Sequence, residues 1–146
     1  IFDEAGILVR EVGSYADIAE PAGLNEPWDV TMDSEGNLYV ANTWNFRVNV
    51  FSPQGLFLRT WGHEGPNQVT DSYAFWGPRG IAVDAQSHVY VTDTGKQRVV
   101  VFDTLGNYLT QFGSRGLVVG QFGQDGVHHR VPADLHAGLM QLLHLG

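Results

Sequence analysis

The chain is built from short apolar segments, and each is separated from the next by a polar turn that contains Gly, Asp, Asn or Ser. Apolar runs of about four to eight residues between such turns are typical of β-strands. In the segment Leu38–Ala41 both faces are apolar, which is expected of a strand that is buried on both sides. The first full set of segments predicts four consecutive strands, at residues Pro27–Asp33, Leu38–Ala41, Arg47–Phe51 and Phe57–Trp61.

The same pattern returns with a constant spacing of 51 residues. The segment Pro27–Gly62 aligns with the segment Pro78–Gly113, and 12 of the 36 positions are identical. A fixed period of this length is typical of a repeat architecture, in which each copy is one structural unit. Ser87 stands where the first copy has the turn glycine Gly36, and if the backbone is the same, a residue with a Cβ there costs ~1 kcal/mol.

The first 13 residues align with only the second half of each copy. Phe2 and Gly6 correspond to Phe51 and Gly55, so the chain is expected to open with the outer two strands of a repeat. Small four-stranded sheets with two buried faces are what the blades of a β-propeller need, because each blade packs between two neighbours. The sequence therefore predicts an all-β fold with an N-terminal half blade at 1–13, linkers at 14–26 and 63–77, and full blades at 27–62 and 78–113.

The repeat pattern decays after Gly113, and residues 114–146 are expected to form a degenerate repeat and a divergent tail. Leu135, Leu139 and Leu142 lie at helical spacing, and Pro132 suits the start of a helix. A helical tail is one prediction, and a further strand pair that extends the repeats is the other.

Two segments carry a resemblance to a known family. Pro78–Asp84 has the sequence PRGIAVD, and Asn37–Val48 has the sequence NLYVANTWNFRV. They resemble the NHL-repeat family, and the resemblance extends over residues 1–122. Asn42 departs from the family pattern, which favours Asp, and Lys96 stands where Asn is expected. The resemblance implies a β-propeller, usually of six blades, but little about activity, because the family includes protein-binding, RNA-binding and enzymatic members.

Composition limits the partners and the compartment. Sixteen acidic against eight basic residues give a net charge of −8, which disfavours binding to nucleic acid. The chain contains no cysteine, and no apolar run approaches the ~18 residues of a membrane-spanning helix. No nucleic acid, membrane or cofactor is therefore expected. The chain begins at Ile1 without a visible signal peptide, as a processed or cut end would, and the sequence leaves the localisation open.

Two arginines recur in the repeats, since Arg47 and Arg98 each begin a strand directly after a turn. They are candidates for binding an anion. The favoured alternative is an architectural contact between blades, either to a carbonyl group or to one of three aspartates, because a residue that recurs in every repeat is more often structural. The aspartates considered as partners are Asp33, Asp84 and Asp93.

The repeated acidic positions have two interpretations of their own. Asp33 and Asp84 end the first strands, and as a carboxylate pair they are candidates for holding calcium. Capping of the turns that follow is favoured. Asn42 and Asp93 are similar cases, so all four are expected to be structural positions of the repeat.

Aromatic residues are the remaining candidates. Trp28, Trp44, Phe46 and Trp76 are candidates for contact with a ligand or partner, and Trp44 and Phe46 lie at a turn tip where burial is not automatic. Packing on the next blade is the alternative. The six histidines match no metal-ligand motif, no catalytic motif is present, and neither a metal site nor a catalytic residue is predicted.

The sequence predicts a non-catalytic propeller segment that acts as a binding or scaffolding module. Its expected partners are itself, another protein or a small molecule. Two and a half blades are too few for a ring, so the propeller is expected to close as a homodimer. Two alternatives stay open: part of a propeller enzyme of the lyase or hydrolase type with a metal in the channel, and a truncated repeat gene product without a selected function.

Overall fold

In a computed structural model of the chain, residues 1–16, 19–65, 71–114 and 121 are described. These residues contain ten β-strands, two short 3-10 turns and no α-helix. The strands are β1 (Pro27–Met32), β2 (Leu38–Asn42), β3 (Arg47–Phe51), β4 (Phe57–Trp61), β5 (His63–Glu64), β6 (Ala74–Phe75), β7 (Pro78–Val83), β8 (His88–Asp93), β9 (Arg98–Asp103) and β10 (Tyr108–Phe112). The two predictions for the tail concern residues that lie outside this described part.

The long strands form two antiparallel sheets of four strands each, in the order of the sequence. Strands β1–β4 make the first blade, and strands β7–β10 make the second. The two blades share one register, since Tyr39 pairs with Val50 in the first and Tyr90 pairs with Val101 in the second. A 3-10 turn joins the second and third strands of each blade, at Thr43–Asn45 and at Thr94–Lys96. The predicted pair of four-stranded propeller blades is confirmed.

The first nine residues form a separate antiparallel hairpin, called here the N-terminal hairpin. Phe2 and Leu8 pair across it, and the amide of Gly6 donates to the carbonyl of Asp3 at 3.0 Å. Each blade is then preceded by a short parallel pairing. Tyr15 pairs with Leu24 before the first blade, and β5 pairs with β6 before the second. The half blade predicted at the start of the chain is therefore present as a hairpin, and no inner strand pairs with it among the described residues.

The hydrophobic core lies between the two blades. One face of the first blade packs on the opposite face of the second, and their aromatic rings meet where Trp61 and Phe102 lie with ring centroids 5.7 Å apart. The residues buried at this interface include Tyr39, Ala41, Val48, Val50, Ile81, Val89, Val91 and Val100. The faces that meet here are apolar because each blade of a propeller packs against the next one.

The turns between strands repeat one hydrogen-bonding pattern. In the turn after β1, the Asp33 carboxylate accepts hydrogen bonds from the amides of Glu35 and Asn37, both at 2.9 Å. Gly36 then adopts a φ of 82°, and Ser87 adopts a φ of 65° at the same place in the second blade. Since L-residues avoid this region of backbone conformation, the serine stores the strain that the sequence comparison predicts.

Candidate ligand-binding surface

The guanidinium group of Arg98 is buried and holds the linker that enters the second blade. Its Nη2 donates to the carbonyl oxygens of Ala74 at 2.7 Å and Asp71 at 3.1 Å. Its Nε lies 3.2 Å from the Asp93 carboxylate, and Nη1 donates to Gln111 at 2.7 Å. Burial raises the pKa of Asp93, while the Trp76 amide and the Arg98 guanidinium oppose this shift.

Arg47 makes the corresponding contacts one repeat earlier. Its Nη2 donates to the carbonyls of Glu20 and Gly23, which precede Asp71 and Ala74 by 51 residues each. The two arginines therefore bind the linker that leads into their own blade, and these contacts favour the architectural interpretation over an anion site.

The structure distinguishes among the three aspartates that were alternatives for pairing with these arginines. Asp93 does pair with Arg98, but Asp33 and Asp84 do not, because both carboxylates lie in turns and are occupied there. The Asp33 carboxylate accepts from the side chains of Asn37 and Tyr39, and that of Asp84 contacts His88 and accepts from Tyr90.

Asn42 and Asp93 occupy equivalent positions, and the side chain of each accepts a hydrogen bond from the linker before its blade. Oδ1 of Asn42 accepts from the amide of Asn25 at 2.9 Å, as Oδ1 of Asp93 accepts from the amide of Trp76 at 2.8 Å. The Asn42 amide also donates to the carbonyl of Gly23 at 2.8 Å, which a carboxylate cannot do. The departure from Asp at position 42 therefore has a local structural reason.

Asp33 belongs to a polar cluster at one end of the blade interface. The Tyr39 hydroxyl donates to Asp33 at 3.0 Å, and Arg59 Nη2 donates to the hydroxyl oxygen at 3.3 Å. Burial, with the nearby Asp33 carboxylate, raises the pKa of Tyr39 to about 12, so its hydroxyl stays a proton donor near neutral pH. Partial burial raises the pKa of Asp33, but the hydrogen bonds from Asn37, Tyr39 and Glu35 together hold it below its usual value.

Metal-ligating side chains do not converge in the described part of the chain. Across residues 1–16, 19–65, 71–114 and 121, no three His, Cys, Asp or Glu side chains form a group able to hold a metal ion. His63 contacts Asp71 at 3.1 Å, and His88 contacts Asp84 at 2.9 Å. The described residues also contain no helix long and apolar enough to cross a membrane.

Trp44, Phe46 and Trp76 line one groove where the two blades meet, and Trp28 lies against Arg79 of the same groove. We call these four aromatic residues the aromatic surface. Trp28 is on β1, Trp44 is in the first 3-10 turn, Phe46 follows that turn, and Trp76 precedes β7. The three tryptophans are about half exposed, whereas Trp61 is buried in the core. Large apolar side chains that stay exposed side by side are typical of interaction sites.

Local contacts hold these side chains in place. The rings of Phe46 and Trp76 stack with centroids 5.8 Å apart, so a residue of the first blade packs on one that enters the second. The indole Nε1 of Trp44 donates to the Glu26 carboxylate at 2.7 Å. The Arg79 guanidinium lies 4.3 Å from the centre of a Trp28 ring. Contacts between the blades thus cover part of the Phe46, Trp76 and Trp28 rings, Trp44 is held within its own repeat, and the three tryptophans stay about half exposed.

A groove of about 310 Å³ runs through the aromatic surface. Trp44 and Phe46 line it from the first blade, and Trp76 and Arg79 line it from the second. Gly95 lies in its wall at the position equivalent to Trp44, 51 residues later. The repeat therefore places the largest residue on one side of the groove and the smallest on the other.

Sequence reasoning did not select Arg79 and Glu26 as members of this surface. A usable signal existed for Arg79, because it is the repeat equivalent of Trp28, and equivalent positions of neighbouring blades lie side by side. No comparable signal existed for Glu26, whose backbone has a positive φ of 45° where the second copy has Gly77.

The fold and this surface define a segment of a repeat β-propeller with an exposed aromatic groove. A family model of the NHL repeat matches residues 24–51 and 75–102, two stretches that are 51 residues apart, as are the equivalent strands. The NHL-repeat model thus matches both blades, and the resemblance seen in the sequence is confirmed over these two stretches.

Several curated proteins are similar in sequence. The B-box type zinc finger protein ncl-1 of Caenorhabditis elegans is 27% identical over 61% of this chain and 15% of that protein. Peptidyl-glycine alpha-amidating monooxygenase A of Xenopus laevis is 33% identical over 59% of this chain and 10% of that protein. Protein brain tumor of Drosophila melanogaster is 27% identical over 62% of this chain and 12% of that protein. The chain thus spans between 10% and 15% of the length of these relatives.

Solved structures also resemble part of this chain. Virginiamycin B lyase from Staphylococcus aureus, in a catalytically inactive form, has a TM-score of 0.45 at 20% identity, covering 59% of this chain and 26% of that one. The PQQ domain of pyranose dehydrogenase from Coprinopsis cinerea has a TM-score of 0.40 at 14% identity. The match covers 68% of this chain and 24% of that one. The assignment of the fold rests on the sheets of this chain itself.

Proposed function

We propose that the chain is a non-catalytic NHL-repeat binding module and that the aromatic surface is where it binds its ligand or partner. The observation that carries this proposal is the set of three half-exposed tryptophans, each fixed by a contact of its own. Rigid aromatic side chains give a large contact area at a small loss of conformational entropy, which is why they dominate binding sites.

The four tryptophans supply an experiment with an internal control. In a ¹⁵N–¹H NMR spectrum each indole N–H gives one signal, and Trp61 is buried away from the aromatic surface. We expect ligands found by screening a fragment library to shift the signals of Trp28, Trp44 and Trp76 and to leave that of Trp61 in place. Ligands that bind elsewhere and move none of the three signals would contradict the proposed site.

We further propose that a second copy of the chain completes the propeller. The N-terminal hairpin supports this, because Arg10 donates to the carbonyl of Pro53 as Arg59 donates to the carbonyl of Thr104 one repeat later. The hairpin thus occupies the place of the outer strands of a blade that precedes the first one. The inner strands of that preceding blade have no counterpart among the described residues.

The faces next to this gap are apolar and exposed. Val30 is 58% exposed on β1, whereas its repeat equivalent Ile81 is 6% exposed because the first blade covers it. Phe2 is 67% exposed, whereas its equivalent Phe102 is fully buried. Covering such residues is favourable by about 25 cal/mol for each Å² of apolar surface removed from water. A second copy is our choice of occupant because it carries strands of the same repeat.

A charge placed on this face tests the closure. We expect Val30→Lys to leave the far-ultraviolet circular dichroism of the protein unchanged and to lower its average mass in solution to that of one chain. Leu105→Lys is the matched control, because Leu105 is 69% exposed but lies in the turn between β9 and β10. Equal masses for the two variants would count against closure through Val30.

A further inference from the structure

The groove of the aromatic surface has the features of a site for one class of peptide. We propose that it binds a proline-rich peptide in the extended polyproline conformation, with an acidic residue next to the prolines. This inference rests on the proposed function and names the partner of the same surface.

The walls of the groove favour flat apolar groups. Trp44 and Trp76 are held by the Glu26 carboxylate and by stacking on Phe46, so that two exposed aromatic residues stand across a space of about 310 Å³. A Cβ atom added to Gly95 would lie 2.0 Å from the carbonyl oxygen of Trp76 and 2.1 Å from its ring, so Trp76 can lie this close to residue 95 only because that residue is a glycine. Aromatic-lined grooves of this kind receive the rings of polyproline segments.

The hydrogen-bonding groups at the groove favour a polyproline backbone over an added β-strand. The amides of Thr94 and Gly95 already donate to the carbonyls of Gly77 and Trp76, so these two do not offer the donors that strand addition uses. The indole N–H of Trp76 donates no hydrogen bond to any described residue. A polyproline helix makes no internal hydrogen bonds, so its carbonyl groups are free to accept from such a donor.

The charge at the groove favours an acidic residue beside the prolines. Arg79 is charged, unlike the other described residues that line the groove. Its guanidinium has no carboxylate partner among the described residues. The net charge of −8 on the whole chain repels long polyanions, which makes a peptide with one or two carboxylates a better partner than a nucleic acid.

The test uses three fluorescein-labelled decapeptides and the full 146-residue chain. The first has the core Pro-Pro-Leu-Pro-Pro followed by two aspartates, the second has alanines in place of the core prolines, and the third has lysines in place of the aspartates. We expect fluorescence anisotropy to show saturable binding of the first, with about tenfold weaker binding of the second. Equal binding of the first two peptides overturns the inference.

Variants locate the binding. Trp76→Ala is expected to weaken the first peptide at least tenfold, and Leu56→Ala, an exposed residue in the turn between β3 and β4, is expected to leave it unchanged. Arg79→Gln is expected to remove the preference for aspartate over lysine, which a purely structural role would not do. An unchanged preference in Arg79→Gln, or full affinity in Trp76→Ala, overturns the inference.

The indole signals separate this inference from the proposed function on which it rests. If the proline peptide moves the signals of Trp44 and Trp76 while an oligothymidine does not, the peptide inference is supported. If the oligothymidine or a fragment moves them and the proline peptide does not, the inference fails and the proposed binding surface stands. If nothing tested moves them, both fail.

Discussion

The side chain of Arg10 donates a hydrogen bond to the carbonyl oxygen of Pro53 and so fastens the N-terminal hairpin to the turn between β3 and β4. One repeat later, Arg59 Nε donates to the carbonyl of Thr104 at 2.8 Å and fastens the first blade to the second. The same contact therefore joins successive repeat units, and the N-terminal hairpin is docked as a blade would be.

Removing this contact should release the hairpin without unfolding the blades. We expect Arg10→Ala to speed hydrogen exchange at the amides of Gly6 and Val9, which are hydrogen-bonded within the hairpin, while β2 and β3 stay protected. The measurement is exchange followed by mass spectrometry. Unchanged protection of residues 1–9 in Arg10→Ala would show that the hydrogen bond does not hold the hairpin.

The two buried arginines, one in each blade, should both contribute to stability. Arg98→Ala leaves the Asp93 carboxylate buried without its ion pair, and losing one member of such a pair costs about 3–5 kcal/mol. Arg47→Ala removes, among its contacts, the hydrogen bonds to the carbonyls of Glu20 and Gly23, and a loss of at least about 1 kcal/mol is expected.

Urea denaturation gives these two values, and Arg79→Ala is the control, since an exposed substitution changes stability by about 0.5 kcal/mol or less. The expected result is that Arg98→Ala and Arg47→Ala each lose more stability than Arg79→Ala does. A variant of Arg47 or Arg98 that melts like the native protein and has lost ligand binding would instead support the anion-site interpretation.

The positions of the strands could be predicted from sequence, because the 51-residue period makes two segments confirm each other. Tyr39 and Tyr90, for example, align in sequence and pair in the same register. The equivalence of Phe2 with Phe102 likewise revealed the half blade. A repeat supplies, within one chain, the comparison that a single sequence otherwise lacks.

The contacts of the candidate site were less accessible to sequence reasoning. Arg47 and Arg98 were recognised as repeat positions, but their acceptors at Gly23 and Ala74 are backbone carbonyls, which leave no mark on residue type. The contact of Arg79 with Trp28 joins two blades, so it emerges only when neighbouring repeats are placed side by side.

The strained turn of the second blade offers a substitution that should stabilise the protein. Ser87 has a φ of 65°, and Ser87→Gly is expected to raise the free energy of unfolding by ~1 kcal/mol because glycine adopts this conformation without a steric penalty. The reciprocal change Gly36→Ser should lower it, since a Cβ there would also lie 3.2 Å from Pro53. Urea midpoints measure both, and shifts of the same sign in the two variants would contradict the argument.

Acid should weaken the turns that aspartates cap. Partial burial raises the pKa of Asp84, but its hydrogen bonds with His88 and Tyr90 outweigh this and hold the value below the usual 3.8. The pKa values of Asp33 and Asp103 are lowered in the same way. Below pH 3.8 the unfolded chain therefore takes up protons before the folded chain does, so stability falls as the pH falls further through the depressed pKa values.

Urea unfolding at pH values from about 5 down to 2.5 follows this loss. Asp84→Asn should be less stable at pH 5 and should show a shallower decline, because one of the linked carboxylates is gone. A decline as steep as that of the native chain would mean that other groups control the acid transition.

The mass of the protein in solution is the most direct test of the account as a whole, in which the chain is a propeller segment that a second copy completes. Sedimentation equilibrium at micromolar concentration should give a single species with twice the mass of one chain, and Val30→Lys should shift it to the mass of one chain. A monodisperse, stable monomer of the native chain at that concentration would contradict the account.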